Sequence, residues 1–200
     1  MKLSIILSQL STGMAGTISI FVLTLVFSLP LGLLIAFGRM SKNRIVSGIF
    51  RLYISLMRGT PLMLQLMVVY FFPYYLFGWS IGNWRYPAII VGFVINYSAY
   101  FAEIYRSGIE AMPKGQYEAA EMLGYNKVQT FVKIILPQVI KMILPSVTNE
   151  IITLVKDTSL AFSLSYLEMF SIAKQIAARQ TTLMPFACLL YTSDAADDLI

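Results

Sequence analysis

Histidine is absent from the 200 residues, and Cys188 is the single cysteine. The first absence removes imidazole as a proton carrier and as a metal ligand. The second removes any intrachain disulfide and any site built on several thiolates. Charge is scarce as well. Only 12% of the residues are charged and 58% are hydrophobic, against about 25% and about 45–50% in soluble domains. That is the balance of a chain whose solvent is lipid, and the length accommodates one domain. No Gly-x-x-x-x-Gly-Lys-[Ser/Thr] loop occurs, so the chain has no phosphate cradle with which to hydrolyse ATP by itself.

What is present is a series of uncharged runs. No charged residue lies between Lys2 and Arg39, and Met14 to Phe37 covers 24 residues, enough for the roughly 20 that cross a hydrocarbon core. This run is too long for a signal-peptide core. It predicts a first span with a kink at Pro30, preceded by a short interfacial helix over Lys2 to Gly13. A second run between Arg58 and Arg85 has its apolar part at Pro61 to Phe77. The aromatic residues Tyr70, Phe71, Phe72, Tyr74, Tyr75, Phe77 and Trp79 fit a belt at the membrane–water boundary. A third span is expected from about Tyr86 to Phe101. Pro137 to Val155 is apolar but holds Lys141, Pro145 and Glu150, and hydropathy alone leaves its crossing open. A fifth candidate, from near Thr181 to Leu190, is too short to cross. It runs into a polar stretch, so a domain over 1–190 is expected, with 191–200 as an atypical tail that is not native to it.

Charge asymmetry orients these spans. The loop from Gly38 to Thr60 carries Arg39, Lys42, Arg44, Arg51 and Arg58 and no acid. The loop from Tyr105 to Leu136 carries Arg106, Lys114, Lys127 and Lys133. Nine of the fifteen basic residues therefore sit in two loops on one side of the bilayer. The positive-inside rule makes that side cytoplasmic and the N-terminus external. The net charge of +5 is explained by topology, so nucleic acid is not expected as a partner.

The second of these loops has its own pattern: Pro113-Lys-Gly-Gln-Tyr-Glu118-Ala119-Ala120-Glu-Met-Leu-Gly124, nine residues, then Ile134-Ile-Leu136-Pro137. Gln116 to Leu123 can form two helical turns, and Gly124 supplies a left-handed stop. Tyr117, Ala120 and Gly124 fall at i, i+3 and i+7 as a narrow stripe with small residues. The stripe fits close approach to another protein's groove as well as an ordinary surface helix, and local features leave both open.

The spacing E-A-A, three residues, G, nine residues, I-x-L-P resembles the signature of permease subunits of bacterial ATP-binding-cassette (ABC) importers. The chain is most similar to the polar amino-acid permease family of the histidine, glutamine and arginine uptake systems. Further matching residues are Arg58-Gly-Thr-Pro61, Glu103-Ile-Tyr-Arg106-Ser-Gly108, Gly115-Gln116, Lys156-Asp-Thr-Ser-Leu160 and Ile172-Ala-Lys-Gln-Ile176. The resemblance covers about residues 10–188. It implies an all-α polytopic membrane protein with about five transmembrane helices, the fifth incomplete here, and a fourth span that crosses despite its polar residues. It also implies a multi-pass subunit of the bacterial cytoplasmic (inner) membrane that pairs with a second permease copy or paralogue. The partners implied are a cytosolic ABC ATPase dimer and an extracytoplasmic amino-acid-binding protein, and no cofactor is expected. Within the loop at about 112–137, Glu118, Ala119, Ala120 and Gly124 would couple ATP use to transport of a polar amino acid into the cytoplasm. An ion-coupled secondary transporter with Glu103 and Glu150 as proton sites is the alternative.

Helical geometry proposes a substrate path. At 100° per residue, Ser146, Asn149, Glu150, Thr153, Lys156 and Asp157 fall on one third of the fourth span. Asn96, Tyr100 and Glu103 form a matching stripe on the third. Charged groups at mid-span cost roughly 2.5–3.5 kcal/mol each and so face a cavity or a partner. Asn96, Tyr100, Asn149, Glu150 and Thr153 are therefore the candidates to line a path. The alternative is that such groups pair with one another and hold the bundle together.

Overall fold

The computed structural model describes the backbone of residues 3–80 and 82–198 and the side chains of residues 6, 8–80 and 82–191. Every regular element among the described residues is helical, as the composition predicts. Helix α1 (Leu3–Arg39) runs unbroken through Pro30. The expected interfacial helix and first span are thus one rod, with Lys2 outside the described residues. Pro30 removes one internal hydrogen bond, a loss that neighbouring helices in a membrane readily absorb.

The stretch expected as a basic loop is largely helical, which corrects the sequence reading. Helix α2 (Arg44–Gly59) starts at Asn43, whose side chain accepts from the Ile45 N–H at 2.9 Å, the usual chemistry of an N-cap. Three faces follow from its periodicity. Phe50 fills the space beside Gly38, and Ile54 is buried among Ile35, Ala36, Ala99 and Ala102. Ile45, Ile49, Leu52 and Leu56 form an exposed apolar stripe. Arg44, Arg51 and Arg58, seven residues apart, form a basic edge. Helix α3 (Leu62–Phe77) follows at an angle of 113°. The second span is therefore broken rather than a single helix from Pro61.

The break has a clear physical origin. Pro61 has no N–H to continue α2 and forces Thr60 into extended backbone, at φ −122° and ψ 148°. The carbonyls stranded by the break are then satisfied by side chains. Gln65 donates to Met57 O at 2.9 Å and Thr60 O at 3.1 Å, and Asn96 donates to Met57 O at 3.2 Å and Gln65 Oε1 at 2.9 Å. Irregular backbone at membrane depth survives only with such internal partners. At the far end α3 stops at Gly78, φ 66°. Tyr74, Tyr75, Phe77 and Trp79 are exposed there, as a boundary belt requires.

Helix α4 (Arg85–Glu110) is the central post, burying Ile89, Phe93, Tyr97 and Phe101 in the main core. Helix α1 packs tightly along it. A Cβ on Gly32 would lie 2.9 Å from Phe101 Cβ and 3.1 Å from the Ser98 carbonyl, so glycine is what permits that approach. After α5 (Lys114–Met122) and α6 (Lys127–Thr130), a π turn over Phe131–Ile135 leads into α7 (Leu136–Asp157). Pro137 offers no N–H to the carbonyl one turn earlier, and the widened turn absorbs that mismatch.

A 3₁₀ segment (Thr158–Leu164) connects to α8 (Met169–Gln180) and α9 (Met184–Asp198). Glu168 caps α8 by accepting from the Phe170 and Ser171 N–H groups, each at 2.6 Å. Burial nevertheless raises its carboxyl above the usual range, against the opposing pull of those donors and the Ser171 hydroxyl.

Among the described residues, three helical stretches are long and apolar enough to cross a membrane: Ser8–Arg39, Arg85–Glu110 and Lys127–Leu164. The bent pair α2–α3 is apolar enough to count as a fourth where the two helices are taken as one span. The crossing that hydropathy left open thus lies within a continuous helical stretch. Helix α9, at 15 residues, falls short of a span and continues past Leu190 into the polar stretch.

Candidate functional site

Helix α2 ends halfway along α4. Tyr53 O–H donates to the Ile95 carbonyl at 2.5 Å, and Met57 O receives Asn96. Both partners sit near the midpoint of Arg85–Glu110. The break at Gly59-Thr60-Pro61 therefore lies beside the middle of α4; in transporters, discontinuous helices present half-helix ends to a substrate.

Beside the break lies a cavity of about 460 Å³ lined by Arg39, Arg51, Arg58, Tyr100 and Glu103. The Arg58 guanidinium sits 5.2 Å from the centre of the Tyr100 ring, in range for a cation–π contact. Arg106 holds both oxygens of Glu103, through Nε at 3.1 Å and through a second, shorter contact, and it also reaches Glu110. From the facing helix, Glu150 lies within electrostatic reach of Arg58 and Asp157. Tyr97 O–H donates to Asp157 Oδ2 at 2.7 Å, directly joining α4 to α7, and its ring lies 6.1 Å from Tyr100.

The expected path residues divide by location. Tyr100 lines the cavity, and Glu150, outside its lining, lies within electrostatic reach of Arg58. Asn96 is 3% exposed and is spent on bracing the helix break. Asn149 and Thr153 are exposed on α7 and do not line this cavity; Thr153 O–H donates to the Asn149 carbonyl at 2.9 Å. Sequence reasoning missed Arg58 as a cavity residue. The seven-residue spacing of Arg44, Arg51 and Arg58 was the available signal. The Tyr97–Asp157 hydrogen bond carried no local signal, because it links residues 60 positions apart.

The E-A-A segment forms α5. Glu118 and Ala119 are exposed and Ala120 is 1% exposed. Gly124 takes φ 78° with open space where a Cβ would stand. The Tyr125 N–H then reaches back to Ala120 O at 3.1 Å and the Gly124 N–H to Glu121 O at 2.9 Å, closing the helix as the left-handed glycine predicts. Met122, Leu123 and Val128 protrude just beyond, at 91%, 74% and 71% exposure. Such large apolar side chains beside a polar loop mark an interaction surface. Gln138 of α7 donates to Gln116 of α5 at 3.3 Å, and Ile109, Met112, Ile135 and Val139 pack where α4, the start of the loop and α7 converge.

Comparison with known proteins places this geometry. Residues 28–191 match the family described as binding-protein-dependent transport system inner membrane component. The L-cystine transport system permease protein TcyB of Bacillus subtilis is 38% identical over 171 residues, covering 85% of this chain and 71% of that protein. A putative glutamine transport system permease protein, GlnP of Rickettsia bellii, is 39% identical over 169 residues, covering 84% and 76%. The crystal structure of an amino acid ABC transporter with histidines superposes with a TM-score of 0.84 at 29% identity, over 96% of this chain and 91% of that one. The chain belongs to the binding-protein-dependent transport system inner membrane components, and within them to the amino-acid ABC-transporter permeases.

Proposed function

We propose that the chain is the transmembrane subunit through which a polar amino acid enters the cytoplasm, by alternating access driven by a separate ATPase subunit. The observation that carries this reading is the charged cavity at the broken second span. A zwitterion has two ends. Arg58 and the free N–H groups at the start of α3 suit its carboxylate. Glu150 suits its ammonium, with Tyr100 between them. The names of the relatives, transport systems for cystine and glutamine, agree with a polar amino acid as substrate.

The energy enters at α5. An ATPase surface gripping Met122, Leu123 and the Glu118-Ala119-Ala120 turn would move α7 through the Gln116–Gln138 contact and the packing of Ile135 and Val139. Helix α7 carries Glu150 and Asp157, so motion at the loop reaches the cavity. A second permease copy or paralogue covers the exposed polar face at Ser146, Asn149 and Thr153. The N-terminus faces outward, where a binding protein delivers the amino acid.

Reconstitution with the cognate ATPase and binding protein in vesicles tests this reading. Uptake should require ATP, and Glu150→Gln should change its rate or substrate profile at normal expression. Uptake that ignores ATP and follows an imposed ion gradient would instead establish a secondary transporter.

A further inference from the structure

Two faces of α2 stand open side by side. At 100° per residue, the exposed Ile45, Ile49, Leu52 and Leu56 fall within about 60° of one another. Arg44 and Arg51 run beside them, with Gly48 and Ser55 in between. Gly48 meets nothing within 4 Å. Both arginines are exposed, and among the described residues no acid pairs with either within 4 Å. Glu103 lies within electrostatic reach of Arg39 and Arg58 and is held by Arg106. Residues 38–60 contain no acid at all.

The apolar face leads into the bend. A second cavity, of about 300 Å³, lies there between α2, α3 and α4, walled by Leu56, Pro61, Leu64, Val68 and Ile95. The polar side chains at its edge are already paired. Gln65 donates to Thr60 Oγ1 at 2.7 Å, and Thr60 O–H donates to the Leu56 carbonyl at 2.8 Å. Such a space suits hydrocarbon and offers water few partners. From Ile45 to Leu56 the helix rises roughly 17 Å at 1.5 Å per residue. That is close to half of the ~30 Å hydrocarbon core, the depth of one acyl chain. Helical side chains lean toward the N-terminus, so Arg51 reaches back toward Arg44 and away from the apolar bend. Two guanidiniums thus converge at one end of an apolar track. A second copy of the chain fits this face poorly, because its own α2 would bring the same arginines and no acid.

We infer that α2 and the bend form a binding site for an anionic glycerophospholipid. Arg44 and Arg51 hold its phosphate, and one acyl chain lies along Ile45, Ile49, Leu52 and Leu56 into the second cavity. Arg58, against Tyr100, takes no part. A zwitterionic lipid offers the same phosphate beside a cation of its own, so the site is defined by its preference for net negative charge.

The test places a fluorophore on α2. Full-length chain carrying Cys188→Ser and Gly48→Cys is labelled at 48 and reconstituted with its ATPase in nanodiscs of equal phosphatidylglycerol and phosphatidylcholine. A nitroxide on an acyl chain of one lipid or the other quenches the fluorophore on contact, and the two quenching curves give the relative affinity. Phosphatidylglycerol should be favoured about fivefold, equivalent to about 1 kcal/mol for a basic contact. The same measurement at Val26→Cys, on an exposed apolar position of α1, should give a ratio near one. Arg44→Gln with Arg51→Gln should bring the ratio at 48 below about twofold, and lysine at both positions should keep most of it. Equal quenching by the two lipids at 48, or the same preference at 26, overturns the site. A preference that survives the double glutamine variant overturns the role of the two arginines. No quenching by either lipid at 48 shows the face covered by protein, and the inference falls. None of these outcomes depends on uptake, so the translocation reading is tested apart from them.

Discussion

A side chain at Gly124 separates the local cost of the turn after α5 from the docking role proposed for it. The residue sits at φ 78°, and a Cβ built there meets nothing within 4 Å. Alanine or valine would therefore suffer only the steric conflict internal to left-handed backbone, about 1–2 kcal/mol. In a chain of this size that corresponds to a loss of at most about 8 °C in thermal midpoint, at about 2–4 °C per kcal/mol. The strain is present in free and bound permease alike, so it cancels in the affinity for the ATPase. A drop in affinity then reports only what the partner places in the space beside Gly124. Overpacking an interface by one small side chain costs about 1–3 kcal/mol, or roughly 5- to 150-fold in dissociation constant. Asparagine sharpens the comparison, because it tolerates left-handed backbone while adding bulk. Gly124→Asn should leave the thermal midpoint near wild type yet weaken ATPase binding, and Gly124→Val should reduce both and abolish uptake. The assay is binding of purified ATPase to permease in nanodiscs, alongside a thermal scan. Wild-type affinity and uptake in both variants would refute a partner surface at this turn.

Three further outcomes follow from the packing. Tyr97→Phe deletes the hydrogen bond to Asp157 and leaves a half-buried carboxyl short of a donor. Stability should fall by about 1–3 kcal/mol, and an unchanged thermal midpoint would show that the link between α4 and α7 carries no stability. Gly32→Ala forces a methyl against Phe101 Cβ and the Ser98 carbonyl, costing about 1–3 kcal/mol. The same change at Gly48, which faces open space in α2, should be neutral or gain up to about 1 kcal/mol from helix propensity. Similar effects at the two sites would contradict the close approach of α1 and α4. For orientation, single cysteines at Ser80 and Gln116 in a Cys188→Ser background are exposed to an impermeant thiol reagent on intact cells. Position 80 should label and position 116 should not, and the reverse pattern would invert the topology.

The amino-acid sequence by itself determined the lipid-dissolved, all-helical character, because mean charge and uncharged run length depend on composition and not on contacts. It also determined the turn after α5. A short helix bounded by Pro113 and Gly124 is local chemistry, and the structure places Gly124 in the left-handed region as expected. The heptad of Arg44, Arg51 and Arg58 held the helix α2 in plain sight, but a basic stretch between two spans is easily taken for a loop when charge alone is weighed. Tertiary structure decided what those charges do. Only packing of Tyr53 and Met57 against the middle of α4 brings Arg58 from an expected loop position to the face of Tyr100. Asn96 shows the same limit in reverse. Its helical face matched that of Tyr100, yet the carbonyl of Met57, freed by the break before Pro61, claimed its amide. Periodicity fixes which residues share a face. What that face meets depends on how far a bent neighbour reaches, and that is settled by contacts between residues some forty positions apart.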